Sequence, residues 1–187
     1  MQKYLTIKVL VFLLVATIAL AGCGRNNMNF DFIEKIDGKN LNDISLTIFY
    51  MDFSAFTPIP VTLDLLTGGW YDNAGEVVGG WYDYRVVVAG DELEEFLFLF
   101  NQINNDVLIP MRGRQPYPPE IRIYYILESK VDGKLFDVAM WGRRDGVIFN
   151  GVEVERNNIF FEVILPFLPE DIATDIRRYM AMRQEKQ

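Results

Sequence analysis

Asp132-Gly133, Asp145-Gly146 and Asn150-Gly151 follow one another within a short stretch of the chain, and each separates two runs rich in β-branched and aromatic residues. Asx-Gly pairs tolerate the positive backbone angles of tight turns whose twist matches that of paired strands. The chain must therefore fold back on itself repeatedly. Ile121–Ser129, Lys134–Trp141, Val147–Phe149 and Val152–Val154 are predicted as strands of an antiparallel meander. In the first of them, Ile121, Ile123, Tyr125 and Leu127 recur at every second position and are expected to line one face. An earlier run, Ile44–Tyr50, alternates Ile44, Leu46 and Ile48 with Ser45 and Thr47, the pattern of a half-buried strand, and Tyr84–Val88 reads as another.

Helical spacing enters between these strands and after them. Leu93, Phe96, Leu97, Phe100 and Ile103 predict a helix over 90–104, with Asp91 as its cap, Glu94 three residues on, and Asn104-Asn105 ending it in a left-handed conformation. The segment 109–120 holds four prolines and must be a loop or an extended edge. Ile159–Leu165 is apolar and fits either strand or helix. Pro169-Glu170-Asp171 opens a helix carrying Ile172, Ile176, Tyr179 and Met180, with its acids early and Arg177, Arg178, Arg183 and Lys186 late, as the macrodipole favours. The expected class is α+β: a mainly antiparallel sheet (meander) with one inserted helix and one or two C-terminal helices, in a single domain over 44–187.

The start of the chain has a different character. Lys3 and Lys8 precede Val9–Leu20, an apolar stretch short of the roughly 20 residues a spanning helix needs. It ends in Leu20-Ala21-Gly22-Cys23, which resembles the lipobox of bacterial lipoproteins. That resemblance implies removal of residues 1–22 and a diacylglyceryl thioether on Cys23, often with a further acyl chain on its amine, such as palmitate. Two chains suffice for stable anchoring. The protein would then face the outside of the cytoplasmic membrane, or the periplasmic side of an outer membrane. The polar stretch 24–43, with scattered Phe30, Phe32 and Ile36, reads as a short tether with one nascent turn. The order of elements, carried by Gly90–Glu95, Phe136–Gly142 and Pro166–Asp171, looks like that of small lipoproteins of Gram-positive bacteria; this resemblance implies no activity.

Charge and composition exclude several functions. The chain carries 18 Lys and Arg against 26 Asp and Glu, a formal charge of −8. Removing Lys3 and Lys8 with the leader lowers the bases to 16 and the charge to −10, so nucleic acid is not an expected partner. With no histidine and a single cysteine, Cys23, the chain has neither an internal disulfide nor the parts of a Ser-His-Asp or Cys-His nucleophile, and no cofactor is expected. Carboxylate pairs and a Ser-Lys dyad remain. Asp91, Glu92, Glu94 and Glu95 are the densest acid group, at a helix start that favours acids for electrostatic reasons alone. Ser129-Lys130 sits at a strand end, where neighbours point to opposite faces.

Gly68-Gly69-Trp70-Tyr71-Asp72 recurs as Gly79-Gly80-Trp81-Tyr82-Asp83. Two readings stand. The aromatics fill a sheet face or hairpin, with the glycines in turns. Alternatively, Trp70, Tyr71, Trp81 and Tyr82 form a platform for a sugar or peptide, with Asp72 and Asp83 accepting hydrogen bonds. An oxygen set of Asp72, Asn73, Glu76 and Asp83 for calcium lacks the regular spacing of an EF-hand. Arg112, Arg114, Arg143 and Arg144 read as solvated loop charge, the alternative being contact with an acidic partner or lipid headgroups. The functional expectation is a membrane-anchored extracytoplasmic, non-catalytic binding or interaction module, its partner an envelope protein or glycan. The alternative is a carboxylate-dependent enzyme or sugar-binding protein acting on envelope polysaccharide.

Overall fold

The computed structural model describes residues 28–68, 79–111, 120–142 and 146–184. Six strands, β1 (Ile44–Tyr50), β2 (Tyr84–Ala89), β3 (Ile121–Ser129), β4 (Gly133–Trp141), β5 (Val147–Phe149) and β6 (Val152–Val154), form one sheet in the order β2-β1-β3-β4-β5-β6. Every neighbouring pair is antiparallel, so the stretch from β3 to β6 is the expected meander. β1 pairs with β2 on one side and β3 on the other, so the chain returns across it after the inserted segment. At the β5–β6 turn Asn150 (φ 48°) and Gly151 (φ 78°) both take positive angles, the backbone that a two-residue hairpin demands.

Around the sheet lie α1 (Phe32–Ile36), α2 (Leu63–Thr67), α3 (Asp91–Leu97), α4 (Ile159–Glu162) and α5 (Glu170–Gln184), with 3-10 turns at Leu41–Asp43, Phe98–Gln102 and Leu165–Phe167. One sheet face carries the large core. Ile44, Leu46, Ile48 and Tyr50 of β1 meet Tyr125, Leu127, Phe136 and Val138, under Leu93, Leu97 and Phe100 from the inserted helix and Ile176 and Tyr179 from α5. The opposite face holds a smaller cluster of Phe49, Tyr124, Ala139, Ile121 and Trp141 beneath Val61 and Leu66. Ile159–Leu165, ambiguous in sequence, is helical: α4 followed by the start of a 3-10 turn.

Four local expectations are corrected. Ile121 does not share a face with Ile123, because the β3–β4 register slips between them: Ile121 pairs with Trp141 while Ile123 pairs with Met140. The extra residue is Arg122, and such a bulge turns the strand over by one position. Asp91 does not cap α3; Gly90 holds that position at φ 63°, with no side-chain cap bond, and its carbonyl accepts from Glu94 N–H at 2.9 Å. Asn104 and Asn105 do not turn left-handed, since Asn150 is the sole non-glycine with positive φ among the described residues. The helix tightens to 3-10 instead, and Asn105 Oδ1 accepts from Phe30 N–H at 2.9 Å. The last correction concerns the tether: Phe30 and Phe32 are buried in the main core, with the Phe30 ring 4.7 Å from that of Phe149, so packing begins well before residue 44.

Candidate functional site

β1 ends at Tyr50, and the bulge at Arg122 decides where the chain goes next. Met51 N–H donates to the Arg122 carbonyl at 2.8 Å, and the Arg122 side chain, 1 % exposed, reaches the loop that follows. Its Nη1 donates to the Asp52 carbonyl at 3.1 Å and its Nη2 to the Ala55 carbonyl at 2.9 Å, while Nη2 also pairs with the Glu120 carboxylate. A guanidinium spreads several donors in one plane, so one side chain can hold two carbonyls and a carboxylate together. Loop 51–55 is thereby fixed to the sheet, and Phe53 stacks on Tyr179 of α5 with centroids 4.0 Å apart and rings 2° from parallel.

The fixed loop forms one wall of a cleft of about 490 Å³ lined by Tyr50, Asp52, Ala55, Asp83, Tyr84, Asp171, Ile172 and Asp175. Asp83 precedes β2; its carboxylate accepts from Asp52 N–H at 2.8 Å and its own N–H donates to the Tyr50 carbonyl at 2.9 Å. Asp171 and Asp175 stand one turn apart on α5, so both face the cleft. The Tyr50 hydroxyl donates to Asp175, tying β1 to α5. Burial and this carboxylate push the Tyr50 hydroxyl far above the ordinary tyrosine range, so it stays protonated and remains a donor. Asp52 is held below the usual carboxylate range by Ser54, whose N–H and hydroxyl donate to Oδ1 at 2.6 and 2.7 Å. Four carboxylates and no basic side chain are among the described lining residues. Acceptors dominate, and the natural complement is a ligand rich in donors: an amine, a guanidinium or a set of sugar hydroxyls.

The second Gly-Gly-Trp-Tyr-Asp copy is divided between two places. Trp81 is half-buried against the smaller cluster, and its backbone N–H donates to the Leu65 carbonyl at 2.8 Å. Tyr82 sets its ring edge-on to Phe49 at 5.4 Å, with 36 % of its surface exposed, and Asp83 turns into the cleft. Trp70, Tyr71, Asp72, Asn73 and Glu76 lie outside the described residues, as do Arg112, Arg114, Arg143 and Arg144 and the lipobox residues Leu20, Ala21, Gly22 and Cys23. Asp91, Glu92 and Glu94 occupy the exposed first turn of α3, and Glu95 follows, exposed. Ser129 and Lys130 close the β3–β4 turn: the serine hydroxyl accepts from Val131 and Asp132 N–H groups, and the lysine ammonium donates to the Asn42 carbonyl. Among the described residues no group of three metal-binding side chains is placed to hold an ion.

Sequence reasoning missed Tyr50, Asp52, Asp171 and Asp175. A faint signal existed in the i, i+4 spacing of Asp171 and Asp175, where like charges on one helix face oppose each other unless a donor lies between them. Comparison with protein-family models, curated proteins and solved structures finds no match to the chain.

Proposed function

We propose that the chain is a membrane-anchored extracytoplasmic lipoprotein, held by lipid on Cys23, whose folded domain binds a donor-rich envelope ligand or partner in the acidic cleft. The lipobox-like Leu20-Ala21-Gly22-Cys23 supports the address. The observation that carries the binding half is the convergence of Asp52, Asp83, Asp171 and Asp175 with the Tyr50 hydroxyl around one cavity. Carboxylates left facing a cleft stay solvated when it is empty, and a cationic or polyhydroxyl ligand replaces that water with charge-assisted hydrogen bonds. A chain without histidine lacks the base of Ser-His-Asp and Cys-His hydrolases.

Titrating the full lipidated protein in detergent micelles with a lysine-rich peptide, and separately with a neutral envelope oligosaccharide, tests the cleft. Binding of one of these ligands, weakened about tenfold or more in Asp83→Asn or Asp171→Asn, is the expected outcome; each lost charge-assisted bond is worth about 1.5–3 kcal/mol. Equal affinity in both variants would place the ligand elsewhere. Turnover of an envelope polysaccharide that disappears in Asp175→Asn would replace the binding reading with the carboxylate-enzyme one.

A further inference from the structure

The root of the anchor is shorter than the sequence suggests, and this restricts how the domain can stand on a membrane. Phe30 is already 5 % exposed in the main core, and its N–H is tied to Asn105. From Cys23 to Met28, where description of the chain begins, there are five peptide steps, which span at most about 18 Å fully extended whatever path they take. A domain of this size is about 40 Å across. A leash shorter than half that width leaves only the side around residues 28–30 within reach of the bilayer.

That side has a distinct surface. Ile33 of α1 is 59 % exposed and Phe98 is 62 % exposed, two of the large apolar side chains that the fold leaves in solvent. Beside Ile33 lies a hollow of about 280 Å³ whose lining includes Asn29, Asn101, Asn104 and Asn105 together with Asp31 and Glu34. In the 3-10 turn Phe98–Gln102, positions three apart eclipse, so Phe98 projects on the same side as Asn101, which lines the hollow. Amides beside exposed apolar side chains suit the headgroup layer, where hydrogen-bonding groups and hydrocarbon lie close together. The carboxylates there are Asp31, which accepts from the Ile33 and Glu34 N–H groups to cap α1, Glu34, beside Lys35, and the exposed Glu94 and Glu95, one turn before Phe98.

We infer that the face carrying Ile33 and Phe98 rests on the bilayer, with both side chains in the lipid interface, so that the anchored domain holds a fixed orientation. The inference rests on lipidation of Cys23. Its counterpart is that the cleft lies toward the other end of the sheet: Phe30 packs on Phe136, which lies level with Leu46 near the start of β1, whereas the cleft is lined by Tyr50, the last residue of that strand.

The test uses the full lipidated chain in phosphatidylcholine–phosphatidylglycerol vesicles, with one nitroxide label on Ile33→Cys, Phe98→Cys or Phe56→Cys. Phe56, 83 % exposed in the loop that follows β1, is the control. With the Cys23 sulfur in a thioether, each introduced thiol is unique. The expected result is flotation of all three with the vesicles, labels at 33 and 98 lying about 5–10 Å below the headgroup surface, and a label at 56 open to a water-soluble nickel relaxant. Flotation with 33 and 98 as open to the relaxant as 56 overturns the docked face and leaves the anchor intact. Failure to float overturns both.

Discussion

Arg122 shows how one residue can set the shape of a site it does not line. The alternation of Ile121, Ile123, Tyr125 and Leu127 announces a strand but contains no sign that it breaks at the second position, because a bulge is decided by what the extra residue can reach. Arg122 reaches the Asp52 and Ala55 carbonyls and the Glu120 carboxylate, all from a position 1 % exposed. Arg122→Ala leaves two carbonyls and a largely buried carboxylate short of donors, and is expected to destabilise the fold by about 3 kcal/mol, read from the urea midpoint. Arg122→Lys should recover only part of that loss, since an ammonium cannot span the three acceptors. At the same scale, Asp52 is depressed by the Ser54 N–H and hydroxyl. A carboxyl whose folded pKa lies below its unfolded one stabilises the fold above the unfolded value of about 3.9 and loses that contribution as pH falls through the folded pKa. Ser54→Ala should therefore lower stability at pH 7, and the gap from the parent protein should close on acidification toward pH 2, as checked by denaturation at both ends of that range.

Elements were legible where the chain itself dictates them and obscure where they meet. The turn Asn150-Gly151 could be read directly because its two positive φ angles admit few residues. Gly151→Ala is expected to cost about 1–2 kcal/mol, measured as a shift of the thermal midpoint. The start of α3 was misread for a related reason: Asp91 looks like a cap in sequence, but the sharp exit from β2 needs φ 63°, which Gly90 supplies, so Asp91 enters the first turn. The join between β1 and α5 through Tyr50 and Asp175 leaves no mark in either segment. Tyr50→Phe removes that hydroxyl and should cost about 1 kcal/mol at neutral pH. Because the folded Tyr50 pKa is raised, the hydroxyl's contribution is present below the unfolded value of about 10 and is lost as pH climbs above it. The difference between parent and variant in urea midpoint should then shrink between pH 9 and about 11.

For the whole molecule, the α+β class and the meander followed from turn chemistry and periodicity, both local properties of the chain. The N-terminal limit of the core did not, because Phe30 and Phe32 lie in a polar stretch with no period to betray their burial. The cleft was hidden for the converse reason. Its carboxylates come from the loop after β1, the segment before β2 and the face of α5, far apart in sequence, and only the antiparallel return of the chain brings them to one end of the sheet. Anchor, docked face and cleft join in one proposal: a short lipid-bearing leash would fix the domain's orientation and hold the acidic cleft toward the far end of the sheet. Its central claim is the anchor, and the most direct measurement is the mass of the N-terminal peptide of the native protein extracted from membranes. The account predicts a peptide beginning at Cys23 and carrying a diacylglyceryl group on its sulfur; a peptide beginning at Met1, or a free thiol at position 23, would contradict it.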